Sequence, residues 1–279
     1  MNNSVSQELL KFLQKSPTAF HAVQQMKSEL LAVDFTELKE NQRWNIECGK
    51  HYFVTRNNSS LIAFTIPENG IDKMHILTSH SDSPTFKIKE NPEIEVEKHY
   101  VKLNVEKYGG MLCAPWFDRP LSVAGRVIIK DKTSGQFTSK LVNIDRDLVM
   151  IPNLAIHMNR EINSGYNYNA QKDLLPIYSC GSLKELLWNR LLKLPMWKKR
   201  KSLDMIYSFI TDRKVPSGVL LKNLSPVAGL MICSVPSHHF KVSFPVRRKN
   251  VWLYTVFWIM KKLEAVRNRA PHPHSFLIH

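Results

Sequence analysis

The sequence predicts an α/β fold: an incomplete α/β sandwich into which a β-rich module is inserted. Three observations predict it. Residues 5–13 and 20–31 carry apolar side chains at helical spacing. Three short β-rich runs follow at 52–55, 60–65 and 74–78, separated by polar or glycine-containing turns. From Glu93 to about Pro176 the pattern is strand-like throughout, with little helical periodicity.

Taken in order, the two opening segments read as amphipathic helices with Ser16 and Thr18 available between them as caps. Helices leading into short strands start an α/β sandwich. Within the β-rich stretch the clearest strand runs are 93–97, 123–129, 141–144 and 148–151. The expected division is therefore 1–92 for the first part of the α/β domain, 93–187 for the inserted β-rich assembly module, and 188–279 for a basic tail, out of frame and poorly packed because its apolar pattern was never fitted to this core. No internal repeat or low-complexity segment interrupts this order.

With 279 residues and 43% hydrophobic composition the chain can bury a sizeable core. Its formal charge of +15 invites a nucleic acid or an anionic membrane as partner. The location of the charge removes that inference. Residues 1–187 hold 22 Lys+Arg against 21 Asp+Glu, whereas 188–279 hold 17 against 3. Four widely spaced cysteines, Cys48, Cys113, Cys180 and Cys233, match neither a CxxC metal pair nor a dense disulfide framework, so a reducing cytoplasm is expected. The first 13 residues lack the basic and apolar regions of a signal peptide. The longest apolar stretch, 251–260, is too short to span a bilayer, and no membrane partner is expected.

Chemistry concentrates in the run ILTSHSDSP at 76–84. An apolar strand there runs into a turn presenting His80 and Asp82 two residues apart, and in extended chain positions i and i+2 project to one side. The carboxyl end of a strand in an open α/β sheet is where ligands collect. A neutral imidazole suits zinc, and a carboxylate beside it can orient the ring or tune a bound water. Alone, an HxD pair is more often an ordinary strand-ending turn.

Its neighbourhood is more specific. SPTAFHAV, WNI, YFVTRNNSSLIAF, SHSDSP, YGGMLCAPWFDRPLSVAGRV and IPNLAIHMNR, in this order and spacing, resemble the aspartyl aminopeptidase family of dinuclear zinc exopeptidases over roughly residues 5–187. The resemblance implies a zinc-exopeptidase-like α/β sandwich and a peptide substrate cut at its N-terminal, acidic residue. It implies two zinc ions, with His80 as first zinc ligand and Asp82 as the catalytic carboxylate beside it. It also implies a homo-oligomer in which His157 reaches the substrate site of a neighbouring subunit. Read without the resemblance, His157 is a structural histidine, and Trp116, Phe117, Asp118 and Arg119 read as packing residues. The further Asp, Glu and His ligands such a site needs should lie downstream, and they are missing.

After residue 187 the resemblance stops, and WKKRK at 197–201 stands where an acidic helix should. Joining the third base of each codon to the first two of the next restores the family pattern. Residues 188–199 can then spell EQAAEVAHVEE, and 212–237 can spell QKGSIWGA, one free position, then EEFISSRRLDDLQCAF. Residues 258–265 can spell DNEEVGS. Synonymous codons leave freedom at many positions, yet Trp258 before Ile259 forces Asp, Met260 before Lys261 forces Glu, and Met231 before Ile232 forces Asp. A frameshift near residues 186–188 is therefore expected, and the basic charge follows from GAA codons read one base off as AAG or AGA.

Three readings follow. The first is a zinc-dependent aminopeptidase by family, left inactive because His80 and Asp82 supply at most part of a site that needs three or four protein ligands. The second is a non-catalytic truncated paralogue or pseudogene product in which the β-rich module still assembles. The third is a nucleic-acid binder using KKRK at 198–201 and Arg247, Arg248 and Lys249; charge runs are more often simply solvated, and no nucleic-acid partner is expected. His238, His239, His272 and His274 have no acidic partners at useful spacing and read as incidental.

Overall fold

A computed structural model describes residues 2–69, 71, 74, 76–130, 136–180, 187, 205–212 and 254–257, with 2–7, 130, 205–212 and 254–257 described by their backbone. The chain divides into two compact units, one of residues 1–25 and 83–231, the other of 26–82 and 232–279.

Two helices open the chain, α1 (Asn2–Lys15) and α2 (Ala19–Leu31). Thr18 caps α2 as expected: the His21 N–H donates to its Oγ1 at 3.4 Å, and its carbonyl accepts from Ala22 N at 2.9 Å. Ser16, the other candidate cap, is buried with no partner for its hydroxyl. The apolar spacing buries Phe12 and Leu13 of α1 and Phe20, Val23, Met26 and Leu30 of α2. The division between the units falls inside α2, after Gln25.

The unit containing residues 26–82 is built on a sheet of β1 (Thr36–Leu38), β2 (His51–Arg56), β3 (Ser60–Thr65), β4 (Ile76–Leu77) and β11 (Tyr254–Phe257). The order is β1-β2-β3-β11-β4, with β1 parallel to β2, β2 and β11 antiparallel to β3, and β11 parallel to β4. Alternation in β3 buries Leu61, Ala63 and Thr65 on one face. Strand β1 was not foreshadowed by the sequence pattern, and β4 is shorter than the apolar run that suggested it. Lys27 and Lys39 approach the Glu37 carboxylate at 2.7 and 3.1 Å. Burial works to raise that carboxyl, but the bonds and charges of the two lysines outweigh it and hold the group below its ordinary value.

The other unit carries the sheet of β5 (Thr85–Val96), β6 (Tyr100–Tyr108), β7 (Leu121–Lys130), β8 (Phe137–Asn143), β9 (Ile177–Cys180) and β10 (Met205–Asp212). Its order is β8-β7-β10-β5-β6-β9, antiparallel at every pairing. Register between β5 and β6 shifts between Ile88 and Glu93. Pro92 lies in that stretch and has no N–H to give a ladder. One face packs Phe86, Leu103, Leu121, Val127, Ile129 and Ile151 into a continuous core, with Trp116 edge-on to Phe86. On the opposite face of β7, Arg126 lies over the Phe20 ring at 4.3 Å.

The run 148–151 does not form a strand as expected. It makes isolated bridges, Leu121 to Val149, Met150 to Ile177 and Phe117 to Ile151, because each residue there meets a different partner. Strand β5 runs unbroken across residue 92, where the sequence reading set its boundary, and the units exchange between Asp82 and Ser83. Among the described residues no helix is long and apolar enough to cross a membrane.

Candidate functional site

The site candidate sits where β4 ends. Leu77 is the last strand residue, and Thr78 to His80 continue without regular structure to a bend at Ser81. Ser81 is buried, and its hydroxyl donates to the Ser59 carbonyl at 3.1 Å. This bond pins the middle of the motif inward, so the residues on either side are presented together. His80 Nδ1 stands 3.3 Å from Asp82 Oδ1, the imidazole open to solvent and the carboxylate largely covered. The HxD spacing thus gives the juxtaposition the sequence predicts.

Strand β11 runs parallel beside β4, with Tyr254 opposite Ile76 and Thr255 opposite Leu77. The carboxyl ends of both strands therefore lie at the same end of the sheet. The residues after Phe257 fall outside the described residues.

His157 belongs to the other unit. It is exposed in the turn 156–158, closed by Met158 N to the Ala155 carbonyl at 2.8 Å, among exposed Leu154, Ile156 and Met158. The base of this loop is tied down by Asp118. That residue adopts φ 55°, receives Asn153 N on its Oδ1 at 2.9 Å and donates its own N–H to the Ile151 carbonyl at 2.9 Å. Trp116 is in the core, Phe117 packs against the Tyr168 ring at a tilt, and Arg119 donates to the Pro115 carbonyl. The WFDR segment is thus a packing and loop-holding element, and the role of Asp118 was not visible in the sequence because its partners lie more than thirty residues downstream.

The donor set can be tested against zinc directly. A zinc ion takes four ligands in a structural site, or three protein ligands plus water in a catalytic one. Among the described residues no group of three His, Cys, Asp or Glu side chains converges. Within the described residues His80 and Asp82 supply two donors, fewer than a firmly held zinc takes.

One buried titratable group lies elsewhere. The half-buried His21 ring takes a 2.8 Å hydrogen bond between Nδ1 and Thr18 Oγ1, and desolvation lowers its pKa from 6.5 to about 4. It is a helix-start residue holding its own cap.

A probable M18 family aminopeptidase 2 of Clostridium novyi is 47% identical over 216 residues, covering 76% of this chain and 49% of that protein. Among solved structures, the Ape4 and Nbr1 complex matches with a TM-score of 0.73 at 28% identity, covering 91% of this chain and 54% of that one. The S. cerevisiae mApe1 dodecamer matches with a TM-score of 0.64 at 18% identity, covering 95% and 65%, which shows the fold alone. The chain spans about half the length of the curated relatives it matches. The family model for aminopeptidase I zinc metalloproteases, M18, matches residues 12–204, past the residue 187 at which the quoted motifs end. With that model covering well over half of its length, the chain belongs to the M18 aminopeptidase family of zinc metalloproteases.

Proposed function

We propose that this chain is the N-terminal portion of a zinc-dependent aminopeptidase acting on peptides with acidic N-terminal residues, left without activity by a change of reading frame near residues 186–188. One observation carries the reading. Strand β11 lies parallel beside β4, and immediately after β11 the shifted frame encodes the forced Asp and Glu of the DNEEVGS motif. Carboxylates encoded there would enter at the sheet end that already presents His80 and Asp82. The chain as translated has Trp258, Ile259, Met260 and Lys261 instead, none of which suits zinc.

In this reading His80 is a zinc ligand and Asp82 the carboxylate beside it, in a family site of two zinc ions that stays partial here. His157 serves substrate binding in a neighbouring copy of a homo-oligomer. Its exposed apolar neighbours and the dodecameric state of mApe1 support that assignment. Residues 1–92 are then the first part of the catalytic domain, 93–187 the assembly module, and 188–279 the out-of-frame basic tail. The protein works in the cytoplasm, without nucleic acid or membrane, since the tail's basic excess follows from shifted glutamate codons. The second reading, a non-catalytic assembling product, is favoured by the continuous core of the β-rich unit.

Sequencing the gene across codons 180–200 and assaying two purified proteins tests this. The chain as encoded is expected to hold substoichiometric zinc and release no N-terminal residue, and the frame-restored chain to do both in a chelator-sensitive way. Two tightly bound zinc ions in the encoded chain, or no single-base change joining the frames, overturns the proposal.

A further inference from the structure

The out-of-frame tail supplies two strands, and both occupy interior places. Every residue of β10 from Met205 to Asp212 is registered on β7, from Ile128 to Leu121, while Phe209 and Ile210 also face Lys87 and Phe86 of β5. Strand β11 likewise separates β3 from β4. Without these segments β7, β5, β3 and β4 would each present an unpaired edge.

We infer that Met205–Asp212 and Tyr254–Phe257 are substitute strands, which close both sheets because strand character survives a one-base shift. The inference rests on the out-of-frame reading proposed above. Each shifted codon takes its central base from the first base of the next translated codon; Tyr, Phe and Trp codons begin with T, and a central T encodes Phe, Leu, Ile, Val or Met. Across β11 the shifted frame reads Ala or Val from Trp252, then Leu, Ile or Val, then Tyr or His, and it must give Leu from Phe257 and Trp258. Across β10, Met205 and Ile206 force Asp, after which Ile206 and Tyr207 give Leu or Ile, and Phe209 and Ile210 give Tyr or His. In both places the shifted frame keeps a short run rich in apolar and aromatic residues, broken in β11 where Thr255 before Val256 gives Cys, Arg, Ser or Gly. Ladder hydrogen bonds come from the backbone, which is indifferent to frame; a strand slot asks first for extended apolar chain and only then for particular side chains. Catalytic carboxylates have no such tolerance, because one base turns GAA into AAG. Frameshift thus removes the chemistry and spares the sheets.

Hydrogen exchange on the full-length chain, read by mass spectrometry, tests this. Amides of 205–212 are expected to exchange more slowly than in an unstructured peptide, on the order of tenfold or more, in step with β5 and β7. Phe209→Pro should speed exchange in both neighbours, while the double exchange Ile206→Phe with Phe209→Ile should leave it unchanged. Free exchange at 205–212 beside slow β5 and β7 overturns the inference. So does indifference of β5 and β7 to proline, or loss of protection in the double exchange. Gene sequencing is a separate readout: an unshifted gene removes the frame proposal and the word substitute, and leaves the exchange result to decide whether these segments close the sheets.

Discussion

Strands β6 and β4 make an instructive pair. In β6, Val101, Leu103 and Val105 are fully buried, in a core whose described side chains all precede residue 188. In β4, by contrast, Ile76 is 58% exposed, and nearby Ile71 and Met74 are no better covered. Apolar content is not what distinguishes them, since both runs are apolar. The difference is where their partners are encoded. Strand β6 pairs with β5 and β9, both encoded before residue 188, whereas β4 pairs with β11, drawn from residues 254–257.

The largest expected effect lies in the core of the β-rich unit. Leu103→Ala empties a site with 0% exposure, and such truncations cost about 2–5 kcal/mol. Ile76→Ala at an exposed edge should cost no more than about 0.5 kcal/mol. Chemical denaturation of the two variants measures both. Equal losses would mean that β4 is covered after all, and the contrast between the regions would dissolve.

Acid provides the next test. His21 has its folded pKa lowered to about 4 from 6.5, so the unfolded chain binds the extra proton first as pH falls. Stability from the neutral ring is fully present above pH 6.5 and is lost as pH falls toward 4, amounting to about 3 kcal/mol at the bottom of that window. Glu37 behaves differently: its depressed carboxyl contributes stability above its ordinary value of 4.5 and loses it only as pH drops below that. A denaturation series from pH 7 to pH 4 should therefore fall in the wild type and flatten in His21→Asn, which keeps an acceptor for Thr18 without the titration. An unchanged slope in the variant would assign the loss to other groups.

How much of this was legible beforehand depended on the range of the determining interactions. Helices α1 and α2, the strands near 52–56, 60–65 and 121–130, and the meeting of His80 with Asp82 follow from local spacing, and all were readable. Strand β1 is only three residues long and exists through its pairing with β2. Strand β9 closes against β6 from far along the chain, so no local pattern marks either. Residues 148–151 looked like a strand because their composition is β-like, but three separate bridges claimed them. At the site, the pair was visible because HxD encodes its own geometry. The anchor was not: nothing local says that the serine between the two residues reaches back to the Ser59 carbonyl.

That anchor gives the smallest of these predictions and the one closest to the chemistry. Ser81 is 2% exposed and its hydroxyl is spent on a carbonyl in the turn before β3. Ser81→Ala removes one hydrogen bond whose acceptor is partly solvated, so water can replace it and the cost should be about 1 kcal/mol. The positional effect is more telling. With the middle residue unpinned, His80 and Asp82 lose the constraint that sets them side by side. Cobalt or zinc titration followed on the His80 ring resonance should show weaker binding in Ser81→Ala than in the parent chain, whereas Ser59→Ala, which keeps the carbonyl, should leave binding unchanged. If Ser81→Ala binds metal as the parent does, the turn is held by its backbone alone and the hydroxyl has no part in presenting the pair.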